Sequence, residues 1–270
     1  MSVLAPYFPE KIGTVQEVLS DLVDEQAQSH LILIHGIADS PDVWRGVCRK
    51  LDFRFKSYQE LSLPWSCGVG DPISYEPSPE EVLEKVWDQL PEGPKVVLAH
   101  SFGANTFVSM AQRRHLDDVA ALVIASIYYK PSYSDFTWPL FIQYVNEFDR
   151  FLSMSLNARQ GSKTLSEKSK NLIVEKTMEM YNPPSWVQFF ILWSSTPGLN
   201  LDKLTMPTLV IGGSDDFSID KQDIAAFANR LPDSEFHYLN PCGHFPMLET
   251  TQETATIIHN FLNKRIQICQ

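Results

Sequence analysis

Positive charge is scarce in this chain. Lys and Arg number 22 against 33 Asp and Glu, a net charge of -11 over 270 residues. That deficit disfavours nucleic acid and anionic membrane surfaces as partners. Long apolar runs are missing too. None reaches the roughly 20 residues that span a bilayer, so no membrane span is expected. The start, Met1-Ser2-Val3-Leu4-Ala5-Pro6, has neither a basic n-region nor a long apolar core. It predicts a cytoplasmic protein without a secretory leader. Cysteine is sparse and scattered: Cys48, Cys67, Cys242 and Cys269 show no metal-type spacing. They read as free thiols of a reducing compartment, and no metal site is expected. There is no internal repeat and no low-complexity tract. What remains, 44% hydrophobic and 20% charged residues, describes a globular chain with a sizeable core. It is one large domain, or one domain carrying an insertion.

The hydrophobic pattern alternates between strands and helices. Val15, Val18, Leu19, Leu22 and Val23 form a helical stripe, and Thr14-x-x-Glu17 fits a capping box, which predicts a helix over 14–23. The competing reading is a strand pair at a sheet edge. Leu31–Ile34 is wholly apolar and predicts a strand buried on both faces. A helix is expected near Ser40-Pro41-Asp42, a strand within 53–63 and a loop over 66–77. Ser78-Pro79-Glu80-Glu81 opens a helix with a capping serine, proline at the first position and acids in the first turn. Strands follow at 96–100 and 119–127. From 128 to 204 strand-like runs vanish and helical stripes replace them, as in Phe141, Tyr144, Val145, Phe148, Phe151 and Leu152, with Pro183-Pro184 as an interruption. The alternation returns with a strand at 207–211, a helix at 220–231, a strand at 234–239 and a helix at 250–264. Such alternation implies a mostly parallel sheet with helices on both faces. The stretch 128–204 implies a helical insertion over one end of it.

Ligands of such sheets sit beyond the carboxyl ends of the strands. After Ile34 come His35-Gly36-Ile37, and after Ile211 come Gly212-Gly213-Ser214-Asp215-Asp216. After Leu239 come Asn240-Pro241-Cys242-Gly243-His244. The run Val96–Ala99 ends in His100-Ser101-Phe102-Gly103, and a helix-forming stretch starts at once. This is the small-x-Ser-x-Gly elbow, which lifts a serine hydroxyl out of the sheet. Ser101, Asp216 and His244 therefore leave the same edge. A serine hydroxyl is a weak nucleophile until a histidine takes its proton, and a buried carboxylate fixes the histidine tautomer.

These segments, together with Trp44 and Gly243-His244-Phe245-Pro246-Met247-Leu248-Glu249, resemble the α/β-hydrolase fold over about 29–264. The resemblance implies a core of residues 1–127 and 205–270 and a helical cap of 128–204, inserted after the sixth strand. It implies Ser101 as nucleophile, His244 as base and Asp216 as orienting acid, with Asp215 as the fallback. It also implies an oxyanion hole of the Ile37 and Phe102 backbone N–H groups. Three departures are visible. Ala99 replaces the usual glycine, Ala104 stands where many relatives have another, and residues 1–28 do not read as the usual edge hairpin.

The other polar candidates have plainer readings. His100 reads as structural, and His35 as a pin for the oxyanion loop. Cys242 is a poorer nucleophile than Ser101. Asp39 and Asp71 read as solvated loop residues. Of 31 aromatic residues, 14 lie between Tyr128 and Trp193. They predict an apolar pocket above Ser101, with Tyr128, Trp138, Phe217 and Phe245 as substrate-binding candidates. The expected activity is hydrolysis of a carboxylic ester or thioester of a mainly hydrophobic acyl or aromatic small molecule, with no cofactor. Carbon–carbon bond hydrolysis or a cyclase or lyase reaction on a polyketide-like substrate is the alternative. A ligand-binding receptor or pseudoenzyme on the same fold is another. Monomer and homodimer are equally compatible with the sequence.

Overall fold

A computed structural model describes residues 13–65, 78–159, 163–180 and 183–266, with the side chains of 180 and 183–186 left aside. Cys67, Asp71 and Cys269 lie outside the described residues. Among the described residues seven strands form one sheet: β1 (Thr14–Val18), β2 (His30–Ile34), β3 (Ser57–Ser62), β4 (Lys95–His100), β5 (Val119–Ala125), β6 (Thr208–Gly213) and β7 (Ser234–Leu239). Their order is β1-β3-β2-β4-β5-β6-β7, and every pair is parallel except β1 with β3. The helices in chain order are α1 (Arg45–Cys48), α2 (Pro79–Trp87), α3 (Ser101–Met110), α4 (Trp138–Asn146), α5 (Phe148–Ala158), α6 (Glu167–Met180), α7 (Pro183–Ser194), α8 (Lys221–Arg230), α9 (Pro246–Glu249) and α10 (Thr251–Ile266).

The central strands bury both faces, and period-two alternation divides their side chains between two cores. Ile32, Ile34, Val97, Ala99, Leu122 and Ile124 face Leu83, Phe107 and Phe227 of α2, α3 and α8. Leu31, Leu33, Val96, Leu98, Val123 and Ile211 face Val47, Ile258 and Phe261 of α1 and α10. Helix α2 begins as its sequence predicts. Ser78 N–H donates to Glu81 Oε2 at 2.9 Å, and Glu81 N–H donates to Ser78 Oγ at 3.4 Å.

Two expectations are corrected. Residues 14–18 form a strand, not the first turns of a helix, and pair with β3 from Thr14↔Ser62 to Val18↔Tyr58. The i, i+3 spacing of Val15 and Val18 is too short a signal to separate the periods. A five-residue helix would nucleate poorly, whereas the sheet edge offers a full ladder. Leu19, at φ 53°, then turns the chain into a single 3-10 turn at Ser20–Leu22. Because one strand precedes β2 among the described residues, the helices α4–α7 follow the fifth strand rather than the sixth. Pro183 opens α7, so the Pro183-Pro184 pair starts a helix as much as it interrupts one.

Candidate active site

Strand register brings the site together. β2 and β4 pair His30↔Lys95 through Ile34↔Ala99, so His35 and His100 leave the sheet at one level. β6 and β7 pair through Gly213↔Leu239, which does the same for the loops that carry Asp216 and His244. Between β4 and α3 the chain has no loop at all: His100 ends the strand and Ser101 starts the helix. Ser101 absorbs the turn at φ 52°, a left-handed conformation that costs a non-glycine residue energy and persists where its surroundings enforce it.

Two glycines make that turn possible. A Cβ on Gly103 would lie 2.3 Å from the His35 carbonyl oxygen, and one on Gly36 would lie 3.1 Å from Ser101 Cβ. Helix α3 and the loop after β2 are therefore in backbone contact. That loop is pinned by His35. Its Nδ1–H donates to Gly36 O at 2.8 Å, and its Nε2 accepts from Leu63 N–H at 3.3 Å. Complete burial disfavours a charge on the ring and outweighs the bond to Gly36 O, so its pKa falls to about 4; a second proton would also set N–H against the Leu63 N–H. The reading of His35 as a structural pin matches this geometry.

Ser101, His244 and Asp216 form an unbroken polar chain. Ser101 Oγ lies 2.9 Å from His244 Nε2, and His244 Nδ1 lies 2.7 Å from Asp216 Oδ2. Ser101 and His244 are fully buried. Burial pushes the Asp216 carboxyl up. The charge and hydrogen bond of His244 and two hydrogen bonds from Ser218 outweigh it and hold the group below its ordinary pKa. Ser218 donates to Asp216 Oδ1 from its backbone N–H at 2.9 Å and from Oγ at 2.7 Å. Glu249 secures the histidine from below by accepting the N–H groups of Gly243 at 2.8 Å and Phe245 at 3.0 Å, one on either side of His244. Asp215 is engaged elsewhere: its Oδ1 accepts from Ser214 Oγ at 2.8 Å.

Beside Ser218, which holds Asp216, lies a narrow cavity lined by Ile37, Tyr128, Tyr144, Phe148, Phe151, Phe189 and Phe217, with Ser218, Gln143 and Glu147 as its polar members; Ser101 and His244 do not line it. Only about 20 Å³ is open to the centre of a water-sized sphere, room for roughly one water molecule. Of the substrate-binding candidates, Tyr128 and Phe217 line this space. Trp138 stands 81% exposed on the outer side of α4, beside Ile142 and Ile191. Phe245 is buried behind the histidine, with its ring 5.0 Å from His100 and 5.2 Å from His244. Tyr144, Phe148 and Phe151 carry the wall instead, and their i, i+4, i+7 spacing is the stripe visible in the sequence. The Tyr144 hydroxyl also donates to the Ser218 carbonyl. Nothing in the sequence singled out Ser218 or Arg159.

Asp39 is the clearest departure among the polar residues. It is 1% exposed rather than solvated, and Arg159, just beyond α5, donates to its Oδ1. Cys48 and Cys242 are buried free thiols. No helix among the described residues is long and apolar enough to cross a membrane.

Comparison with known proteins gives one family. The sequence profile of the alpha/beta hydrolase family matches residues 31–257. A 63-residue segment is 33% identical to the monoacylglycerol lipase ABHD6 of Mus musculus, covering 23% of this chain and only 19% of that relative's length. Over 249 residues the chain is 23% identical to the pimeloyl-[acyl-carrier protein] methyl ester esterase of Aromatoleum aromaticum, covering 85% of this chain and 96% of the relative. Among solved structures it is similar to a putative lipase from Acinetobacter baumannii. The TM-score is 0.68 at 18% identity, over 94% of this chain and 92% of that one.

Proposed function

Because the chain belongs to the alpha/beta hydrolase family, we propose that it hydrolyses a carboxylic ester or thioester of a mainly hydrophobic acyl or aromatic substrate. The observation that carries this reading is the chain of contacts from Ser101 Oγ through His244 to Asp216, at 2.9 and 2.7 Å. In this reading His244 Nε2 takes the Ser101 proton as Oγ adds to the carbonyl carbon. Asp216, accepting from Nδ1–H, holds the productive tautomer and stabilises the imidazolium. The N–H of Phe102 sits in the first turn of α3, where it has no intrahelical partner. With the N–H of Ile37 it forms the oxyanion hole for the tetrahedral intermediate. The imidazolium then protonates the leaving alcohol or thiol. Water, activated by the same histidine, adds to the acyl-serine and releases the acid. The protein groups suffice for this sequence of proton transfers.

Residues 128–204 act in this proposal as a cap over a core of 1–127 and 205–270. The apolar wall of Phe148, Phe151 and Phe189 supports a hydrophobic acyl or aromatic group. A substrate needs some hundreds of Å³, more than this cavity offers, so in this reading the residues that line it rearrange to admit one. The small cavity and the buried serine are also the observations that favour a ligand-binding protein without turnover. Intact-mass labelling with a fluorophosphonate separates the two. Stoichiometric labelling at Ser101, absent in Ser101→Ala and strongly slowed in His244→Ala, is expected of the hydrolase. Folded protein that stays unlabelled, or Ser101→Ala protein that still hydrolyses esters, refutes it.

A further inference from the structure

The active centre contains a second histidine–aspartate pair. His100 immediately precedes Ser101, and its Nε2–H donates to the backbone carbonyl of His244 at 3.0 Å. Its ring centre is 5.0 Å from that of His244. Its Nδ1 faces Asp39 Oδ2, but at 3.4 Å, against 2.7 Å for the His244–Asp216 pair. The shorter separation is that of a charge-assisted hydrogen bond. The longer one is not, and neither Asp39 Oδ2 nor His100 Nδ1 has a hydrogen-bond partner. An aspartate beside an imidazole in a buried site would ordinarily draw a proton onto the ring and close that gap. Here its charge is met elsewhere: Asp39 Oδ1 accepts from Arg159 and from Ser40 N–H at 2.8 Å.

We propose that Arg159 is a positioning residue for the reaction: by ion-pairing Asp39 it keeps His100 seated against the His244 backbone without placing a second positive charge beside Ser101 and His244. The proposal rests on the hydrolase reading above. The physical reason is simple. His244 must become cationic as Ser101 attacks, and an imidazolium about 5 Å away would oppose that. A like charge at such a distance moves a titrating group by about one unit or more. The charged and titratable groups around the pair are His35, Asp39 and Asp42 from the loop after β2, His244 after β7, and Arg159 after α5. Of these only Arg159 is a permanent cation, so removing it leaves Asp39 to recruit a proton onto His100.

The test uses the full chain with Arg159→Gln, Arg159→Lys, and Asp39→Asn combined with Arg159→Gln. A nitrophenyl ester is the probe, and kcat and KM are measured from pH 5 to 9. In Arg159→Gln kcat is expected to fall about tenfold with little change in KM. The acid limb of kcat/KM should move about one unit toward acid, because a neighbouring cation lowers the apparent pKa of the base. Arg159→Lys keeps the charge and should retain most of kcat. Asp39→Asn in the Arg159→Gln background should restore it, since an amide can donate to His100 Nδ1 and has no charge to balance. Folded Arg159→Gln with wild-type kcat and an unmoved limb overturns the proposal. So does a loss shared equally by Arg159→Lys, or one that Asp39→Asn does not repair. If Arg159→Gln does not fold, the other two variants still decide: low kcat in either overturns the proposal. Failure of the wild type to label at Ser101 would instead sink the hydrolase reading beneath it.

Discussion

Gly103→Ala tests whether backbone contact between α3 and the loop after β2 governs the site. The added Cβ would lie 2.3 Å from the His35 carbonyl oxygen and 2.7 Å from Ile34 Cγ2. Carbon–oxygen contacts settle near about 3.3 Å, so the His35 carbonyl must retreat by about 1 Å, or α3 must. Two stability effects compete. Alanine is better than glycine inside a helix by about 1 kcal/mol. Overpacking a core costs about 1–3 kcal/mol, and here a main-chain oxygen blocks the easy relaxation. The clash should win, with a net loss of about 1–2 kcal/mol and a fall in Tm of about 2–4 °C for each kcal/mol. The effect on turnover should be larger. The His35 peptide leads into Gly36 and Ile37, and a 1 Å misplacement in an active site costs about 100-fold. Urea unfolding followed by circular dichroism gives the first quantity. kcat on a nitrophenyl ester and the rate of Ser101 labelling give the second. A variant with wild-type kcat and labelling rate, whatever its stability, would show that this loop does not set the geometry at Ser101.

Three further outcomes follow from the same structure. Asp216→Asn should lower kcat by about 10⁴-fold by destabilising the productive His244 tautomer, while Asp215→Asn should change it little; equal losses would reverse the assignment. Stability should fall on acidification from pH 6.5 toward 4, because the unfolded chain protonates His35 in this window and the native chain, with its pKa at about 4, does not. That contribution is complete above pH 6.5 and amounts to about 3 kcal/mol when fully lost. Asp39 and Asp216, held below their ordinary pKa values, withdraw stability only at still lower pH. His30 and His100, also lowered by burial, lose stability in the same direction, so His35→Asn should reduce rather than abolish the fall of the urea midpoint between pH 7 and 4.5, and an unchanged slope would refute the account. Burial raises the thiol of Cys48 and pushes Cys242 up to about 12. Iodoacetamide at pH 8 should therefore spare both in native protein and modify both in urea; rapid native modification of Cys242 would contradict its burial.

Much of this protein was legible in its amino acids. Continuous apolar runs mark the middles of β2, β4, β5 and β6, because a strand covered on both faces buries successive side chains. Ser78-Pro79-Glu80-Glu81 marks the start of α2, because its capping contacts are local. The order Ser101, Asp216, His244 could be read because each residue lies within five residues of a strand's carboxyl end, and parallel strands deliver those ends to one edge. The stripe of Tyr144, Phe148 and Phe151 was visible, but not the cavity it closes.

Only tertiary structure decided the rest. Residues 14–18 became a strand because β3 offered an edge, and no property of five residues announces a partner some 40 positions away. Trp138 and Phe245 look equivalent to Tyr128 in a list of aromatics. The direction in which each helix or loop presents its side chain sends one outward, one behind His244 and one into the cavity. Asp39 resembles any loop aspartate until the chain beyond α5 delivers Arg159 to it, and Ser218 is an ordinary serine until Asp216 folds back onto its N–H. Local patterns set what each segment can form. Pairwise contacts between distant segments settle which charges are buried, which hydrogen bonds hold the histidine, and how narrow the cavity between Ile37, Phe151 and Phe217 is.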